Sequence, residues 1–395
     1  SRALEEKLIG MILGEKRPLT NTDIKNLVAE LYGVKPSELT LEKGYSHKKV
    51  QEAVEAALVR YARQVIQTGR KKGRSEKAIY EQLQILYEQQ PVLVSRTGKT
   101  IARQAYSTPV PLAYVTSLLA GIDENTTVFE PTAGTGMLTI GADTKNVVVN
   151  EIDPARSDLL AAQGFSKVIA VDATKPTAEK DYDVVIMNPP FGKYKEEVAI
   201  DKYKLTKIEH IIAAQNLKAM ADDGRAVMII AAPKIKGPYS TPDWIFGNFL
   251  YSNYNVVGDF EVSGDLYKRQ GAAWPVRIIV INGRQKSEKS PPRLAKVRAN
   301  SWDEVYNMVG KIQEGELPEI ELPEGWQLKE QQGQWQVFDN NNQLVGEIIQ
   351  LEDGTFNVRA IEKGKPEEYG MPEEGKSFGN FADALKALSN IAQTK

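Results

Sequence analysis

The chain has 395 residues, of which 42% are hydrophobic and 26% charged, a composition ordinary for a globular protein of two or three domains. It has no cysteine and two histidines, His47 and His210, which excludes disulfides, thiolate metal sites, a cysteine nucleophile and multi-histidine metal sites. No apolar run approaches the ~18 residues of a membrane span, and the charged, helical pattern of residues 1–17 leads us to expect no signal peptide. We therefore expect a cytoplasmic protein that binds neither membrane nor metal.

The net charge of −2 does not by itself indicate a nucleic-acid binder, but the charges are unevenly distributed. From Pro291 onward the chain carries 11 Lys and Arg against 18 Asp and Glu, so the preceding part is basic. A basic cluster over residues 60–77 contains seven Lys and Arg and one acid, Glu76. This pattern predicts either a solvated turn between helices or a patch that contacts phosphates.

Residues 1–104 show the apolar spacing of amphipathic helices, with hydrophobic residues at i, i+3, i+4 and i+7. Thr20 or Asn21 can act as an N-cap, and Gly33 and Gly69 occupy positions typical of helix C-caps. This region is predicted to be a helical N-terminal domain.

Over residues 105–285, short apolar runs alternate with helical segments. This alternation predicts an α/β fold with a doubly wound, largely parallel sheet of seven strands. No long helix separates the last two runs, so we expect one of these strands to be antiparallel. The seven candidate strands are TTVFEP, NVVVNEID, KVIAVD, DVVIMN, RAVMIIAAP, YNVVGDFEVS and PVRIIVIN.

A polar, proline-bearing stretch over residues 281–293 is the expected boundary of the α/β domain. Residues 291–395 are predicted to form a small acidic α+β domain. In it, a helix at SWDEVYNMVGKI is followed by short strands with Asn- and Gly-bearing turns. A final helix, NFADALKALSNIA, is expected near the end.

The first candidate strand ends in the sequence EPTAGTG, residues 130–136, called here the glycine loop. Gly134 and Gly136 allow tight turns and the close approach of a ligand. The loop lacks the complete Gly-x-Gly-x-x-Gly of a dinucleotide fold, and Glu130 stands directly before it. A carboxylate there would repel a pyrophosphate but could bind an ammonium group, which favours a ligand with a cationic amino-acid end.

Acidic residues also follow the next two candidate strands. Glu151 stands where a ribose diol would sit, and Asp172 could accept a hydrogen bond from an adenine amino group. Asp153, before Pro154, is more typical of a helix N-cap. Three acids at consecutive strand ends around a glycine loop indicate a nucleoside-type ligand.

The fourth candidate strand stops at Asn188-Pro189-Pro190-Phe191, called here the transfer turn. Two prolines cannot continue a strand ladder, because neither has an N–H group to donate. The strand is thus expected to end in an amide, two rigid carbonyls and an exposed aromatic ring. Taken alone, the same four residues could be a β-turn that caps a strand.

Together, these signals resemble the S-adenosylmethionine-dependent amino-methyltransferases, and specifically the N6-adenine DNA methyltransferases with the glycine loop ahead of Asn-Pro-Pro-aromatic. The resemblance covers about residues 106–281 and implies a Rossmann-like methyltransferase sheet with S-adenosylmethionine as cofactor. It implies that Thr108 and Pro109 contact the methionine carboxylate. The residues that it assigns to the cofactor are Thr108, Pro109, Glu130, Thr132, Ala133, Gly134, Gly136, Glu151, Ile152, Asp172, Ala173 and Asn188.

The transfer turn has a physical rationale as a clamp for a planar amine. The lone pair of an exocyclic adenine amine is delocalised, so the nitrogen must pyramidalise before it attacks a methyl group. The Asn188 side-chain oxygen and the Pro189 carbonyl can accept its two N–H groups, while Pro190 keeps the turn rigid and Phe191 stacks on the base. The transfer is then a direct displacement helped mainly by positioning, with no strong base.

DNA is the expected substrate, as a flipped-out or single-stranded base. Two aromatic and basic segments, residues 234–248 and 263–274, and Lys193, Lys195 and Lys202 are expected on the substrate side. The helical N-terminal domain resembles modification subunits of restriction systems, so a specificity subunit or further domains of a longer chain, in a restriction, defence or anti-restriction context, are the expected partners. RNA adenine or protein glutamine methylation, and a non-catalytic scaffold that binds the cofactor, remain alternatives.

Overall fold

A computed structural model shows a helical N-terminal region, a central α/β sheet and an antiparallel sheet near the C-terminus. Parts of three predicted segments lie outside the residues that it describes: residues 94–106 at the end of the helical domain, Lys236 on the expected substrate side, and most of the final helix. The described residues are 2–14, 17–40, 46–93, 107–235, 237–271, 273–295, 297–314, 325–331, 334–351, 356–362, 365–370, 384–385 and 387–389.

The N-terminal helices follow the apolar periodicity of their sequence. Thr20 caps the second helix in a capping box with Asp23, and Gly33 ends that helix in the left-handed conformation, as expected. The described helices of this region are α1 (Arg2–Gly14), α2 (Asn21–Tyr32), α3 (His47–Lys71) and α4 (Glu76–Gln89).

The expectation that Gly69 ends a helix is wrong. Gly69 lies within α3, and a Cβ atom there would stand 2.6 Å from Cγ1 of Ile79 on α4. The glycine is therefore needed for close packing of two helices, and the left-handed residue after α3 is Gly73, with φ +67°.

The central sheet confirms the expected doubly wound, Rossmann-like α/β fold. The strands are β1 (Val128–Glu130), β2 (Val147–Asn150), β3 (Lys167–Ile169), β4 (Tyr182–Met187), β7 (Met220–Ala231), β8 (Val256–Val262), β9 (Val276–Asn282) and β10 (Arg298–Ala299). Their order is β10-β8-β9-β7-β4-β1-β2-β3, parallel throughout except for β9, which runs antiparallel to β7 and β8. Strand β10, which pairs with β8, was not expected from the sequence.

Both faces of the sheet are buried, as the apolar strands predict. Val128 and Val184 face one hydrophobic core, which also contains side chains of the N-terminal helices, while Phe129 and Val185 face the other. The helices around the sheet are α5 (Val110–Leu119), α6 (Pro154–Ala161), α7 (Ile208–Asn216), α8 (Thr241–Asn253) and α9 (Trp302–Gln313).

A two-stranded hairpin, absent from the sequence-based expectation, follows the transfer turn. It consists of β5 (Lys193–Ile200) and β6 (Tyr203–Lys207), joined through Asp201 at φ +50°. Ile200 and Leu205 are buried in the second core, so one face of the hairpin packs against the domain.

The C-terminal region contains an antiparallel sheet in the order β11-β12-β13-β14-β15. Its core includes Trp335 and Phe356, with Leu385 and Leu388 packed against them. Among the described helices of the chain, none combines the length and apolar character needed to cross a membrane. The five strands are β11 (Gln327–Gln331), β12 (Gln334–Phe338), β13 (Leu344–Gln350), β14 (Phe356–Glu362) and β15 (Lys365–Gly370).

Candidate functional site

The candidate site lies at the carboxyl edge of the sheet. Strands β3, β2, β1 and β4 are parallel neighbours, so their carboxyl ends meet at one edge. Strand β1 lies between β2, the next strand along the chain, and β4. The chain therefore reverses its direction of strand addition at β1, and open α/β sheets bind their ligands at such a switch point. Glu130, Glu151, Asp172 and Asn188 end or follow these four strands.

The glycine loop is held in a tight conformation by backbone bonds. The N–H of Ala133 donates to Asn150 O at 2.9 Å, and that of Gly134 donates to Glu151 Oε2 at 2.9 Å. Gly134 and Gly136 have φ of +57° and +90°, in the left-handed region that favours glycine. A Cβ atom at Gly136 would lie 3.2 Å from Leu160 Cδ2, whereas one at Gly134 would meet open space, so Gly134 is needed for its backbone conformation alone.

Glu151 braces the glycine loop through one of its carboxylate oxygens and bonds to Asp153 through the other. Its second oxygen, Oε1, accepts from the N–H of Asp153 at 2.8 Å, while Oε2 accepts from Gly134. Asp153 in turn caps α6 by accepting from Ala155 and Arg156, as its sequence position predicts. The contact of Glu151 with a ribose stays a prediction, and the bracing bonds add a reason for a carboxylate at this position.

Glu130 is a buried acid at the base of the glycine loop. It is 2% exposed, and its Oε2 atom has no hydrogen-bond partner among the described residues. Burial first, and then the charge of Glu151, raise the pKa of Glu130 well above its usual range, opposed by Arg63. The Thr132 hydroxyl beside it is likewise buried without such a partner. Buried acceptors in this position suit a ligand that donates hydrogen bonds, such as an ammonium group.

Asp172 lies exposed after β3. It accepts from the N–H and the hydroxyl of Thr174 at 2.9 and 2.7 Å, and these bonds lower its pKa. The apolar side chains of Ile152 and Val171, which follow β2 and β3, are 63% and 54% exposed. Sequence reasoning missed Val171, although an aliphatic residue directly before a strand-end acid was a usable signal. Two exposed aliphatic side chains beside an acid suit a flat heterocycle.

Asn188 is oriented by a residue from a distant part of the sequence. Its Nδ2 donates to the Thr108 hydroxyl at 2.9 Å, and Thr108 is 3% exposed just before α5. Pro109 is the N-cap residue of that helix. The structure thus brings together Thr108 and Asn188, which the sequence analysis assigned to one site. Because the amide nitrogen faces Thr108, the amide oxygen faces away from it.

Phe191 does not have the exposed ring that the sequence predicted. It is 3% exposed and belongs to the first hydrophobic core. A strand end that lies above a core buries an aromatic ring for the usual hydrophobic reason, and the sequence pattern could not show this. Stacking on a base stays a prediction that requires the ring to leave this position.

Helix α3 contacts the glycine loop from the N-terminal region, which sequence reasoning missed. Arg63 donates to the Thr139 hydroxyl at 3.0 Å and to Gln163 Oε1 at 3.1 Å. The amide of Gln163 donates to Thr135 O at 2.9 Å, within the loop. Burial lowers the pKa of Arg63 to about 10. The helical region is thereby part of the support of the candidate site.

Part of the basic cluster over residues 60–77 is used within the fold, while the phosphate contact expected of the rest stays a prediction. Arg60 and Arg63 bond to the segment around α6, and Arg70 donates to Gly141 O at 2.7 Å. Lys48, near the start of α3, donates to Asp153 at the edge of the sheet where the candidate site lies. Arg70, which bonds to Gly141, lies about 33 Å further along the same helix. The exposed Lys71 and Lys72 therefore lie towards the opposite edge of the sheet.

The aromatic segments expected on the substrate side are largely structural. Tyr239 and Tyr267 are buried, and the indole N–H of Trp274 donates to Ala232 O at 3.2 Å. Trp244 packs under the guanidinium of Arg293. Basic side chains that remain exposed near the transfer turn are Lys193, Lys195, Lys202 and Lys204 on the hairpin. Within the described part of the chain, no group of three or more His, Cys, Asp or Glu is placed to hold a metal ion.

Comparison with known proteins finds similar folds only. No family model and no curated protein sequence matches the chain. A protein from Listeria monocytogenes assigned to the class I S-adenosylmethionine-dependent methyltransferases is 13% identical, with 80% of this chain and 100% of that one covered and a TM-score of 0.45. A modification subunit assigned to a type I restriction enzyme from Vibrio vulnificus is 11% identical, with 69% and 64% covered and a TM-score of 0.42.

A third similar structure, a protein from Pyrococcus horikoshii assigned as an RNA methyltransferase, is 19% identical, with 52% and 98% covered and a TM-score of 0.37. These three structures are thus named as a class I methyltransferase, a restriction-modification subunit and an RNA methyltransferase. At TM-scores below 0.5 these likenesses carry no weight for function, and the fold assignment rests on the sheet order itself.

Proposed function

We propose that this chain transfers a methyl group from S-adenosylmethionine to the N6 amino group of adenine in DNA. The observation that carries the proposal is the placement of Asn188. Its amide is oriented by Thr108 at the end of β4, beside the glycine loop and the buried Glu130. A planar amine and a cationic cofactor would therefore meet at one edge of one sheet.

The residues of the cofactor half fit S-adenosylmethionine. Glu130, buried and with a carboxylate oxygen unpartnered among the described residues, would take the ammonium of the methionine part. Glu151 would take the ribose hydroxyls, and Asp172 would take the adenine amino group between Ile152 and Val171. When bound, the cofactor supplies an electrophilic methyl group on a sulfonium.

The transfer turn would orient the amine of the substrate. The Asn188 side-chain oxygen and the Pro189 carbonyl would each accept one N–H of the amino group and favour its pyramidal form. The contribution is mainly positional, because aligning a nucleophile with its target removes a large entropic barrier. The amine can lose its proton to water after attack, so no general base is assigned.

DNA as substrate is supported by the hairpin that follows the transfer turn. Its lysines are exposed, and a paired base must leave the helix before its amino group can reach such a site. The proposal includes a separate specificity subunit, or a further part of a longer chain, that reads the target sequence. This pairing follows the resemblance to modification subunits.

A second candidate is methylation of adenine in RNA or of a glutamine amide in a protein. The specific observation is that the Asn188–Thr108 arrangement orients any planar amine or amide and does not itself read a sugar or a phosphate. A non-catalytic scaffold would have no need of this orientation.

The test combines binding with transfer. Calorimetry should show that S-adenosylmethionine binds, and label from its methyl group should enter duplex or single-stranded DNA in preference to RNA and bulk protein. Label in RNA or protein would keep the mechanism and replace the substrate. Binding without label in any substrate would favour the scaffold, and no binding would overturn the cofactor assignment.

A further inference from the structure

Gly192, the residue directly after the transfer turn, is bonded through both of its backbone groups to the start of α7. Its N–H donates to Glu209 Oε2 at 2.9 Å, and its carbonyl accepts from the N–H of Ile208 at 2.9 Å. Gly192 has φ +136°, which favours glycine, so the chain takes a conformation here that other residues rarely adopt. The turn is thus tied to α7 at the point where the hairpin begins.

Glu209 is unusual because its carboxyl group is buried, with 1% exposure, and accepts a hydrogen bond from the backbone of another segment. A hydrogen bond to an ionised carboxylate is stronger than one between neutral groups, and the low dielectric of a buried site strengthens it further. Such a bond restrains the position of Gly192, and through it the positions of Phe191 and the proline carbonyls.

A second polar group supports the same end of α7. Asp243 on α8 accepts from Lys207 Nζ at 2.7 Å, and Nε2 of His210 lies 3.3 Å from the same oxygen. The His210 ring stacks on Phe246 with centroids 4.2 Å apart. These contacts fix α7 against α8, so Glu209 is presented by a rigid element.

We propose that Glu209 is a positioning residue for methyl transfer, acting through Gly192 on the transfer turn. The proposal rests on the proposed function, because it concerns the geometry of the same amine-binding turn. Thr108 holds the beginning of that turn through Asn188, and Glu209 holds its end. Both anchors are needed to keep the Asn188 oxygen and the Pro189 carbonyl at a fixed separation.

The ionisation of Glu209 adds a signature in pH. Burial raises its pKa to about 7, with Lys207 opposing and Asp243 adding to the rise. The pKa of neighbouring His210 is lowered to about 4 by burial, so that ring stays neutral through the same range. Below about pH 7 the carboxyl is protonated and accepts more weakly, so we expect transfer to rise with pH through this region.

The test compares Glu209→Ala, Glu209→Gln and Glu124→Ala in steady-state transfer. Glu209→Ala should lower kcat roughly tenfold to a hundredfold with the cofactor Kd unchanged, because a charge-assisted bond is lost. Glu209→Gln keeps an uncharged acceptor, so its kcat should match that of the wild type below pH 7, exceed that of Glu209→Ala and lose the rise in activity near pH 7. Glu124, exposed on the loop before β1, is the control and should leave kcat unchanged when replaced by alanine.

An unchanged kcat in Glu209→Ala would overturn the proposal, because the bond to Gly192 would then have no role in transfer. A higher kcat would also overturn it, because the bond would then restrain a turn that must open. A folded Glu209→Gln as inactive as Glu209→Ala would also overturn it. The amide signal of Gly192 in a protein labelled with ¹⁵N-glycine gives a reading without transfer. It should titrate near pH 7 in the wild type and not in Glu209→Gln, even if the proposed substrate is wrong or Glu209→Ala does not fold.

Discussion

The two halves of the candidate site are supported in different ways. The cofactor half is braced from several elements, since Glu151, Gln163 and Arg63 all bond to the glycine loop or to its immediate neighbours. The transfer turn depends on individual side-chain bonds at its two ends, Asn188 to Thr108 and Gly192 to Glu209. Single substitutions in the cofactor half should therefore raise the cofactor Kd by modest factors, whereas single substitutions in the transfer turn should lower kcat strongly.

The largest effect is expected at Asn188. Asn188→Ala removes the acceptor for the amine and should lower kcat by about 10²–10³, while cofactor binding stays nearly unchanged. Transfer kinetics and calorimetry measure the two quantities. Asn125→Ala, on an exposed loop before β1, is the control and should alter neither. Loss of cofactor binding in Asn188→Ala would contradict the clamp assignment.

A loss of binding is expected in the glycine loop. Gly134→Val forces a branched residue to φ +57° in an otherwise open space, so the penalty is backbone strain of order 1–3 kcal/mol. The cofactor Kd should rise roughly tenfold to a hundredfold. Gly33→Val carries the same strain at φ +65°, also in open space, but at the end of α2. If both variants weaken cofactor binding equally, the loop has been misplaced.

A smaller effect on binding is expected from the support of the loop by α3. Arg63→Met removes one hydrogen bond each from the Thr139 hydroxyl and from Gln163 Oε1, and it should raise the cofactor Kd roughly fivefold, with kcat little altered. Arg60→Met removes a bond to Ala162 O, which lies outside the glycine loop, and should change Kd less. Equal changes in the cofactor Kd of Arg63→Met and Arg60→Met, measured by calorimetry, would mean that α3 supports the fold and has no specific role at the glycine loop.

The smallest effect concerns DNA contact. Lys193→Ala with Lys195→Ala, beside the transfer turn, should weaken DNA binding and flatten the slope of log K against log salt by about 2. Lys71→Ala with Lys72→Ala removes the same charge towards the opposite edge of the sheet and should leave that slope unchanged. The reverse result would move the nucleic-acid surface to the end of α3.

Local sequence signals were sufficient for seven of the eight strands of the sheet and for the ingredients of the site. Alternating apolar runs and helices predicted the parallel sheet, and the absence of a long helix between the last two predicted strands indicated that one of them is antiparallel, which is β9. Glu130, Glu151, Asp172 and Asn188 could be placed at one edge because parallel strands share their carboxyl ends. These features depend on residue order and strand direction alone.

Contacts between distant segments could not be predicted in this way. The hairpin of β5 and β6 is rich in Lys and Glu, and its turn uses Asp201 in place of a glycine, so the Asn-Gly or Asp-Gly pair typical of a hairpin is absent. Gly69 is explained by Ile79 on a neighbouring helix, and Phe191 by the core beneath it. The bonds from Arg63 and Glu209 to the site likewise join residues that no local pattern connects.

The most direct test of the account is to identify the methylated product. Duplex and single-stranded DNA are incubated with the chain and S-adenosylmethionine, digested to nucleosides, and separated by mass, with Asn188→Ala as the blank. We expect N6-methyl-2′-deoxyadenosine in the digest from the wild-type reaction and none in the digest from the Asn188→Ala reaction. Methylation on another atom, or an equal yield from Asn188→Ala, would contradict the central claim that the transfer turn orients the adenine amine.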